Sequence, residues 1–116
     1  MTIDEYQKAV LTTALYKDDD QAFLCSVTGM QGELGEIMEA LKKYTREDDE
    51  KAGMSPIDAY FKFKTATTLE LGDLLWYIAL YAHLWNISLG DVLDSNISKL
   101  SSRAQRGVLH GSGNHR

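Results

Sequence analysis

Apolar side chains recur at intervals of three and four residues along most of the chain, the spacing of amphipathic α-helices. No long stretch alternates apolar and polar residues, so the pattern predicts an all-α fold without a sheet. The four predicted helices run from about Ile3 to Tyr16, from about Gln21 to Tyr44, from Ser55 to Trp85 and from Ser88 to about Arg103.

Local signals support these bounds. Thr2 and Glu5 have the spacing of a capping box, and so do Ser88 and Asp91 before the last helix. Proline directly after Ser55 suits the first position of a helix. From there the chain forms either one helix or a short helix that leads into a long one from about residue 64. We expect an antiparallel, four-helix bundle-like subunit.

The remaining segments lack helical signals. Residues 45–53 read as a charged connector, and residues 107–116 contain three glycines in ten positions. With 116 residues, 44% of them hydrophobic, the chain has room for one core. We therefore predict a single domain over residues 1–106 followed by a mobile glycine-rich tail over 107–116. Helices this apolar are not expected to be buried within a single copy, so we expect a homo-oligomer, at least a dimer.

Composition narrows the class of protein. A single cysteine, Cys25, excludes an internal disulfide and a thiolate zinc site, which favours a reducing cytoplasm. The N-terminus lacks the pattern of a signal peptide, and the longest apolar run, Leu74 to Ala82, is too short to cross a bilayer. We expect a soluble protein with no membrane partner.

The charge is unevenly distributed. The net charge is −5, yet residues 99–116 hold four basic and no acidic residues. Residues 1–98 hold eight basic and seventeen acidic residues, a net −9. Because a nucleic acid duplex calls for a broad basic face, this distribution argues against duplex binding and suits a metal-bound anion better.

Two pairs of acids stand on apolar helices. On the third helix, one narrow stripe holds Ala66, Glu70, Asp73, Tyr77 and Tyr81, and no Lys or Arg occurs between Thr65 and Ser98. On the second helix, the corresponding stripe holds Ser26, Gly29, Glu33, Glu36 and Ala40, and no Lys or Arg occurs between Asp18 and Leu41. Residues three apart lie about 5–6 Å from each other, so each pair can converge on one point.

Four converging carboxylates would repel one another, and burying an unpaired ionised group is costly. A hard divalent cation removes both problems, and all-oxygen ligation selects Mg²⁺, or Mn²⁺, over zinc and copper. The alternative to a metal site is that these four residues are ordinary solvated acids on helix surfaces. A di-iron bundle is the other rival, but it uses Glu-x-x-His pairs, which are absent here.

Three segments of the chain combine charged and apolar residues in a recognisable order. Residues 29–43 read GMQGELGEIMEALKK, residues 70–77 read ELGDLLWY, and residues 96–103 read NISKLSSR. Together they resemble the all-α, MazG-like nucleotide pyrophosphohydrolases. The first is similar to that family's Glu-x-x-Glu motif, the second to its Glu-x-x-Asp motif followed by Leu-Trp-Tyr, and the third to the segment that supplies phosphate-binding Asn, Lys and Arg.

The resemblance implies Mg²⁺-dependent attack of water on the α-phosphate of a nucleoside triphosphate, ribo or deoxy, with release of pyrophosphate. It implies that Glu33, Glu36, Glu70 and Asp73 are both the metal ligands and the catalytic residues. One of these four carboxylates, or Glu39 one turn further on, would accept the proton. The family's members are typically dimers or tetramers.

The resemblance also implies phosphate contacts, and the residue types add further candidates for substrate contacts. Asn96, Lys99 and Arg103 would bind phosphates, unless Lys99 and Arg103 form a solvated basic face. Trp76 and Tyr77 are candidates for stacking on the base, although large aromatics at helical spacing are often core residues. The glycine-rich tail would close over the triphosphate as a lid, or else be disordered.

Two other classes of function stay open. The chain could be a non-catalytic helical module whose acids bind a basic partner, or a metal-dependent hydrolase of another phosphate ester. The sequence leaves the preferred base, the sugar and the number of metal ions undetermined.

Overall fold

The computed structural model describes residues 1–46 and 53–116. Within these ranges the chain forms four α-helices and no strand, which confirms the predicted all-α fold class. The helices are α1 (Ile3–Val10), α2 (Asp19–Thr45), α3 (Pro56–Leu84) and α4 (Leu89–Gln105). None of them is both long enough and apolar enough to cross a bilayer, for the part of the chain described.

α1 ends at Val10, six residues before the predicted end at Tyr16. The two threonines that follow explain the difference, because their hydroxyls compete for backbone carbonyls. Thr12 Oγ1 donates to the carbonyl of Ala9 at 2.7 Å, and Thr13 Oγ1 donates to that of Val10 at 3.1 Å. The backbone tightens into turns there instead of continuing the helix.

The other bounds lie close to those predicted. Asp18 caps α2, its carboxylate accepting from the backbone N–H of Gln21 at 2.8 Å. α3 is one continuous helix that begins after Ser55, which settles the choice left open by the sequence. It ends before Asn86, whose φ of 55° reverses the chain in the left-handed region that asparagine tolerates. The predicted connector falls largely on residues 47–52, outside the described part.

α2 and α3 pack antiparallel along most of their length. At one end, the ring of Phe23 lies 5.8 Å from that of Tyr81 and 5.9 Å from that of Trp85. Towards the other end, the rings of Tyr44 and Phe63 stack at 4.8 Å and 18°. The middle turns of the two helices, which carry the acids, therefore face each other.

α1 packs across the end of α3 and the start of α4. The core lies there and consists of Val10, Ala79, Leu80, Ala82 and Leu89. The amide of Gln7 ties this junction together: its Nε2 donates to the carbonyl of Ile87 at 2.8 Å, and its Oε1 accepts from the N–H of Leu89 at 3.0 Å. α1 thus fixes the turn from which α4 leaves.

α4 packs against α1 and makes no extensive contact with α2 or α3 among the described residues. Every side chain from 91 to 102 is exposed, including the apolar stripe Leu93, Ile97 and Leu100. The radius of gyration is 18.2 Å, whereas a compact domain of this length has about 13 Å. One copy is therefore an open arrangement of helices.

A second exposed apolar surface covers one side of the α2–α3 pair. Helical spacing and antiparallel packing place six side chains there, on the side away from the acids' open edge. We call this the apolar face, and it consists of Leu34, Met38 and Leu41 on α2 and Leu71, Leu75 and Ile78 on α3.

Residues 107–116 fold back onto the end of α4 as a series of turns. Three arginines hold them through backbone carbonyls. Arg103 Nη2 donates to Gly113 O at 3.1 Å, Arg106 Nη2 donates to Arg116 O at 2.9 Å, and Arg116 Nε donates to Val108 O at 3.0 Å. The three arginines at the basic end of the chain therefore donate hydrogen bonds to the tail itself.

Candidate active site

Three carboxylates from the two facing helices come together in one group. Glu33 of α2 and Glu70 and Asp73 of α3 each offer a carboxylate oxygen, and these oxygens all lie within 4.8 Å of one another. Glu33 and Glu70 are half-buried, whereas Asp73 is exposed. No ion pair among the described residues reaches any of the three. The convergence expected from the two motifs is present for these three acids.

Glu36, the fourth predicted ligand, lies one turn further along α2 and outside this group of three. It lines a neighbouring cavity together with Glu70. Its charge still contributes to raising the pKa of Glu33. Glu36 therefore borders the carboxylate group without belonging to it.

The carboxylates of this group repel one another, because they are gathered without a cation. The pKa of Glu33 is raised, first by burial, then by a hydrogen bond with Glu70 and by the charges of Asp73, Glu70 and Glu36. Each of these effects favours the protonated form, as expected for acids gathered without a cation. Glu39 differs, because its hydrogen bond with Lys42, at 2.6 Å, lowers its pKa. Glu39 is thus paired along its own helix.

Small residues let the helices approach each other at this level. Ser26 is fully buried, and its hydroxyl is satisfied by the carbonyl of Phe23 at 2.7 Å. Gly29, one turn before Glu33, lies against the ring of Tyr77. The close approach of another group, expected for the glycines of α2, is thus observed at Gly29. At Gly32 and Gly35 no atom lies within 4 Å of the position of a β-carbon.

The donor set fits a hard cation. Three carboxylates on two facing helices, with no histidine or cysteine in the group, match the oxygen ligands that Mg²⁺ and Mn²⁺ prefer. A cation would also offset the repulsion that raises the pKa of Glu33. Glu33, Glu70 and Asp73 are the residues that could hold it, with Glu36 beside them.

The predicted phosphate-binding residues lie elsewhere in the single chain. Asn96 and Lys99 are exposed on α4, which packs against α1. Arg103 is buried under the tail, and its Nε has no hydrogen-bond partner. Burial and the nearby guanidinium groups of Arg116 and Arg106 lower its pKa. One copy does not bring these three residues to the carboxylates.

The two aromatic candidates make packing contacts. Trp76 Nε1 donates to Thr13 Oγ1 at 2.9 Å, and its ring lies 6.4 Å from that of Tyr16. Tyr77 meets Trp76 edge-on at 5.1 Å and covers Gly29. Both rings therefore join the helices to each other in this structure.

A cavity of about 220 Å³ adjoins the carboxylate group between α2 and the first half of α3. We call it the α2–α3 cavity. Among the described residues it is lined by Glu36, Glu39, Ala40, Lys43, Tyr44, Met54, Ala59, Lys62, Phe63, Ala66 and Glu70. The sequence offered one signal for it, because Ala40 and Ala66 fall on the same stripes as the acids. No pattern in the sequence marks Tyr44 and Phe63 as cavity residues, because an aromatic residue near a helix end can serve several purposes.

Comparison with known proteins agrees with this geometry. Residues 21–108 match the model of the MazG nucleotide pyrophosphohydrolase domain. The Gene 37 protein of Mycobacterium phage L5 is 35% identical to the chain over 121 residues, with 100% of both chains covered. No solved structure matches the chain. The matched range includes both carboxylate motifs and the whole of α4.

Proposed function

Because the chain belongs to the MazG nucleotide pyrophosphohydrolase family, we propose that it hydrolyses a nucleoside triphosphate to the monophosphate and pyrophosphate. The observation that carries this proposal is the group of three carboxylates from two facing helices, with oxygens within 4.8 Å of one another. Mg²⁺, or Mn²⁺ in its place, would be held by Glu33, Glu70 and Asp73, with Glu36 as a fourth carboxylate.

In this reaction a water oxygen forms a bond to the α-phosphorus. The bond from that phosphorus to the bridging oxygen of the β-phosphate breaks, and pyrophosphate leaves with the electron pair. A bound Mg²⁺ would neutralise charge on the phosphate oxygens and lower the pKa of a coordinated water. As that bond forms, one proton of the water stays on the oxygen that joins the monophosphate and the other needs an acceptor, for which Glu36 is suitably placed beside the group of three. Glu39 is less suited, since it is paired with Lys42.

The phosphate contacts of Asn96 and Lys99 need a different explanation, because α4 does not reach the carboxylates of its own chain. We propose that these contacts are made between copies, with α4 of one copy facing the acidic groove of another. The charge distribution supports this, since residues 99–116 are basic and the rest of the chain is acidic. Arg103 would join them only if the tail released it.

Oligomerisation is supported by the apolar face and by the exposed stripe on α4. Met38 is 64% exposed and Ile97 is 63% exposed. Large contiguous apolar patches are uncommon on monomers and mark sites of association. A dimer or tetramer would cover them and close the open arrangement of helices. We also propose the cytoplasm as the compartment, from the single free cysteine.

The test is a product assay with each ribo- and deoxyribonucleoside triphosphate and Mg²⁺, measuring pyrophosphate and orthophosphate separately. We expect pyrophosphate with at least one substrate, and none after EDTA treatment. Glu70→Gln should abolish turnover, while Asp20→Asn, an exposed acid in the first turn of α2, should retain it. Orthophosphate alone would point to hydrolysis of another phosphate ester. Neither product from any substrate would leave the binding module as the better explanation.

A further inference from the structure

Three basic side chains at the end of α4 share one face of the helix. Lys99, Arg103 and Arg106 are spaced by four and three residues, which places them within one narrow stripe. We call this the basic stripe. Residues 99–116 contain no acidic residue, and no ion pair among the described residues involves any of the three. The stripe therefore carries three positive charges without a carboxylate partner.

The tail covers part of this stripe. Arg103 is only 4% exposed, its Nη2 donates to Gly113 O at 3.1 Å, and its Nε is buried without a hydrogen-bond partner. Arg106 stays exposed, but its Nη2 donates to the backbone carbonyl of Arg116 at 2.9 Å. An anion that approached α4 in this structure would meet Lys99 and part of Arg106, but it would not reach Arg103.

The folded tail gathers like charges around neutral acceptors. One oxygen, Gly113 O, accepts from Arg103 Nη2 and also from Arg116 Nη1. Burial and the charges of Arg116 and Arg106 lower the pKa of Arg103. The C-terminal dipole of α4 favours a cation there and offsets part of the cost of burying one without a counter-charge. An oxyanion would supply the missing negative charge, which backbone carbonyls do not.

Arg116 holds the tail in its folded shape. Its guanidinium group donates to Val108 O and Leu109 O at 3.0 Å each, as well as to Gly113 O. The aliphatic part of its side chain lies against Gly111, where a β-carbon has no room. Gly113 has a φ of 80°, which glycine adopts without strain. The tail can therefore be loosened at Arg116 or Gly113 without altering any residue of the basic stripe.

We propose that residues 107–116 are an autoinhibitory strap, which withholds Arg103 from polyphosphate anions until such an anion displaces it. Once the strap opens, Arg103 and Arg106 are free to donate paired hydrogen bonds to phosphate oxygens, beside Lys99. The apparent affinity for the anion is reduced to the extent that the strap is closed. The consequence for turnover rests on the proposed function, whereas the strap itself can be tested by binding alone.

Variants that open the strap test the proposal. Tripolyphosphate is titrated without divalent cations, and its binding is followed by NMR at the arginine Nε signals. Arg116→Ala removes three hydrogen bonds within the tail, and Gly113→Ala disfavours the left-handed turn while leaving the charge unchanged. We expect both to bind the anion at least about threefold more tightly than the wild type.

His115→Ala is the matched control, because His115 is exposed and makes none of these hydrogen bonds. It should stay within about 1.5-fold of the wild-type affinity. Circular dichroism checks that each variant is folded.

The direction of the change separates the strap from a simple loss of charge. Removing a positive charge alone would make Arg116→Ala bind the anion more weakly. Weaker or unchanged binding in either strap variant would therefore overturn the proposal. Adding Arg103→Gln to Arg116→Ala should abolish the gain in affinity. A gain that survives this second change would also overturn the proposal, because Arg103 would then not be the group withheld.

Hydrogen exchange tests the opening of the strap in the wild-type protein. The N–H of Gly111 donates to Val108 O at 3.2 Å within the folded tail. We expect its exchange to accelerate when tripolyphosphate saturates the protein, because the anion displaces the tail. Unchanged exchange would contradict this displacement, and slower exchange would show that the tail closes over the anion instead.

The strap and the enzymatic proposal fail in different ways. If the strap variants bind tripolyphosphate more tightly while no nucleoside triphosphate is hydrolysed, the strap is supported and the enzymatic proposal is wrong. If the wild-type protein releases pyrophosphate but Arg116→Ala gains no affinity for tripolyphosphate, the strap is wrong and the enzymatic proposal stands.

Discussion

Gly29 of α2 lies directly against the aromatic ring of Tyr77 on α3. A β-carbon at position 29 would come within 2.6 Å of Cδ1 of that ring, far closer than packed carbon atoms approach. This contact sets the separation of the two helices one turn away from Glu33 and Asp73. The geometry of the carboxylate group therefore depends on a residue that has no side chain.

The first prediction compares two glycines of the same helix. Gly29→Ala should lower the free energy of unfolding by about 1 kcal/mol, because overpacking costs about 1–3 kcal/mol while the gain in helix propensity is about 1 kcal/mol. Gly35→Ala, where an added β-carbon meets nothing within 4 Å, should instead raise it by about 0.5–1 kcal/mol. Urea unfolding measures both. Equal changes in the free energy of unfolding would contradict this prediction, because they would mean that the ring of Tyr77 moves aside at no cost in stability.

A second prediction concerns metal and stability. Mg²⁺ at about 100 times its dissociation constant should stabilise the wild-type protein by about 2.7 kcal/mol, a rise in Tm of several degrees. Glu70→Gln should lose most of this rise, because the group then has two carboxylates where it had three. Without metal, Glu70→Gln should be at least as stable as the wild type, since one repelling charge is removed. Thermal scans with Mg²⁺ and with EDTA check both parts.

The control for that prediction is Asp20→Asn, which removes an exposed charge far from the group. It should keep the full rise in Tm with Mg²⁺. A rise of the same size in Glu70→Gln would show that the cation binds elsewhere on this acidic chain.

The third prediction assigns Trp76 to the docking of α1. Thr13→Val removes the hydroxyl that accepts from Trp76 Nε1 at 2.9 Å, and should cost about 1 kcal/mol of stability. Thr12→Val is the matched control, because the hydroxyl of Thr12 donates only to its own turn, at Ala9 O. Stability of the two variants is compared by urea unfolding followed by tryptophan fluorescence. A larger loss in Thr12→Val would contradict this role for Trp76.

The fourth prediction concerns the junction of α1 with α4. Gln7→Glu replaces the amide donor to Ile87 O by an acceptor, so two oxygens would face each other at the 2.8 Å contact. We expect a loss of about 1–3 kcal/mol, from the broken hydrogen bond and the uncompensated carbonyl. Gln31→Glu, an exposed position on α2, makes the same chemical change and should alter stability by less than about 0.5 kcal/mol. Amide hydrogen exchange in α4 should accelerate only in the first variant.

Some features of the fold could be predicted from the sequence, and others could not. The caps at Thr2, Ser55 and Ser88 are local signals, so three helix starts could be predicted from neighbouring residues alone. The end of α1 could not be predicted in this way, because a threonine can occupy either a helix or a turn. The hydroxyls of Thr12 and Thr13 bind backbone carbonyls in the turn that follows α1. The direction of α4 could not be predicted from the sequence either, since it depends on contacts of Gln7 with residues about eighty positions away.

The candidate site also has features that could be predicted from the sequence and features that could not. The spacing of Glu33, Glu70 and Asp73 on two apolar helices predicted their convergence, because helix geometry fixes which residues share a face. The group contains Glu33 but not Glu36, a distinction that the spacing of the two acids along α2 does not make. The α2–α3 cavity likewise exists only once Ala40 and Ala66 face each other across the pair.

The last prediction concerns the apolar face. Its leucines are exposed in one copy, with Leu71 at 52% and Leu34 at 50%, yet transfer from water favours burial by about 25 cal/mol per Å² of apolar surface. We expect the wild-type protein to elute as a dimer or tetramer in size-exclusion chromatography with light scattering. Leu71→Glu should shift it to smaller species, because a buried unpaired carboxylate costs far more than an exposed one.

Leu15→Glu provides the control, since Leu15 is 87% exposed in the turns after α1 and lies outside the apolar face. It should leave the oligomer unchanged. If α4 of one copy supplies Asn96 and Lys99 to another, Leu71→Glu should also raise KM for the triphosphate at protein concentrations where the oligomer has dissociated. A monomeric wild-type protein with full activity would rule out both the association and the proposed sharing of α4, because a lone copy keeps these residues away from its carboxylates.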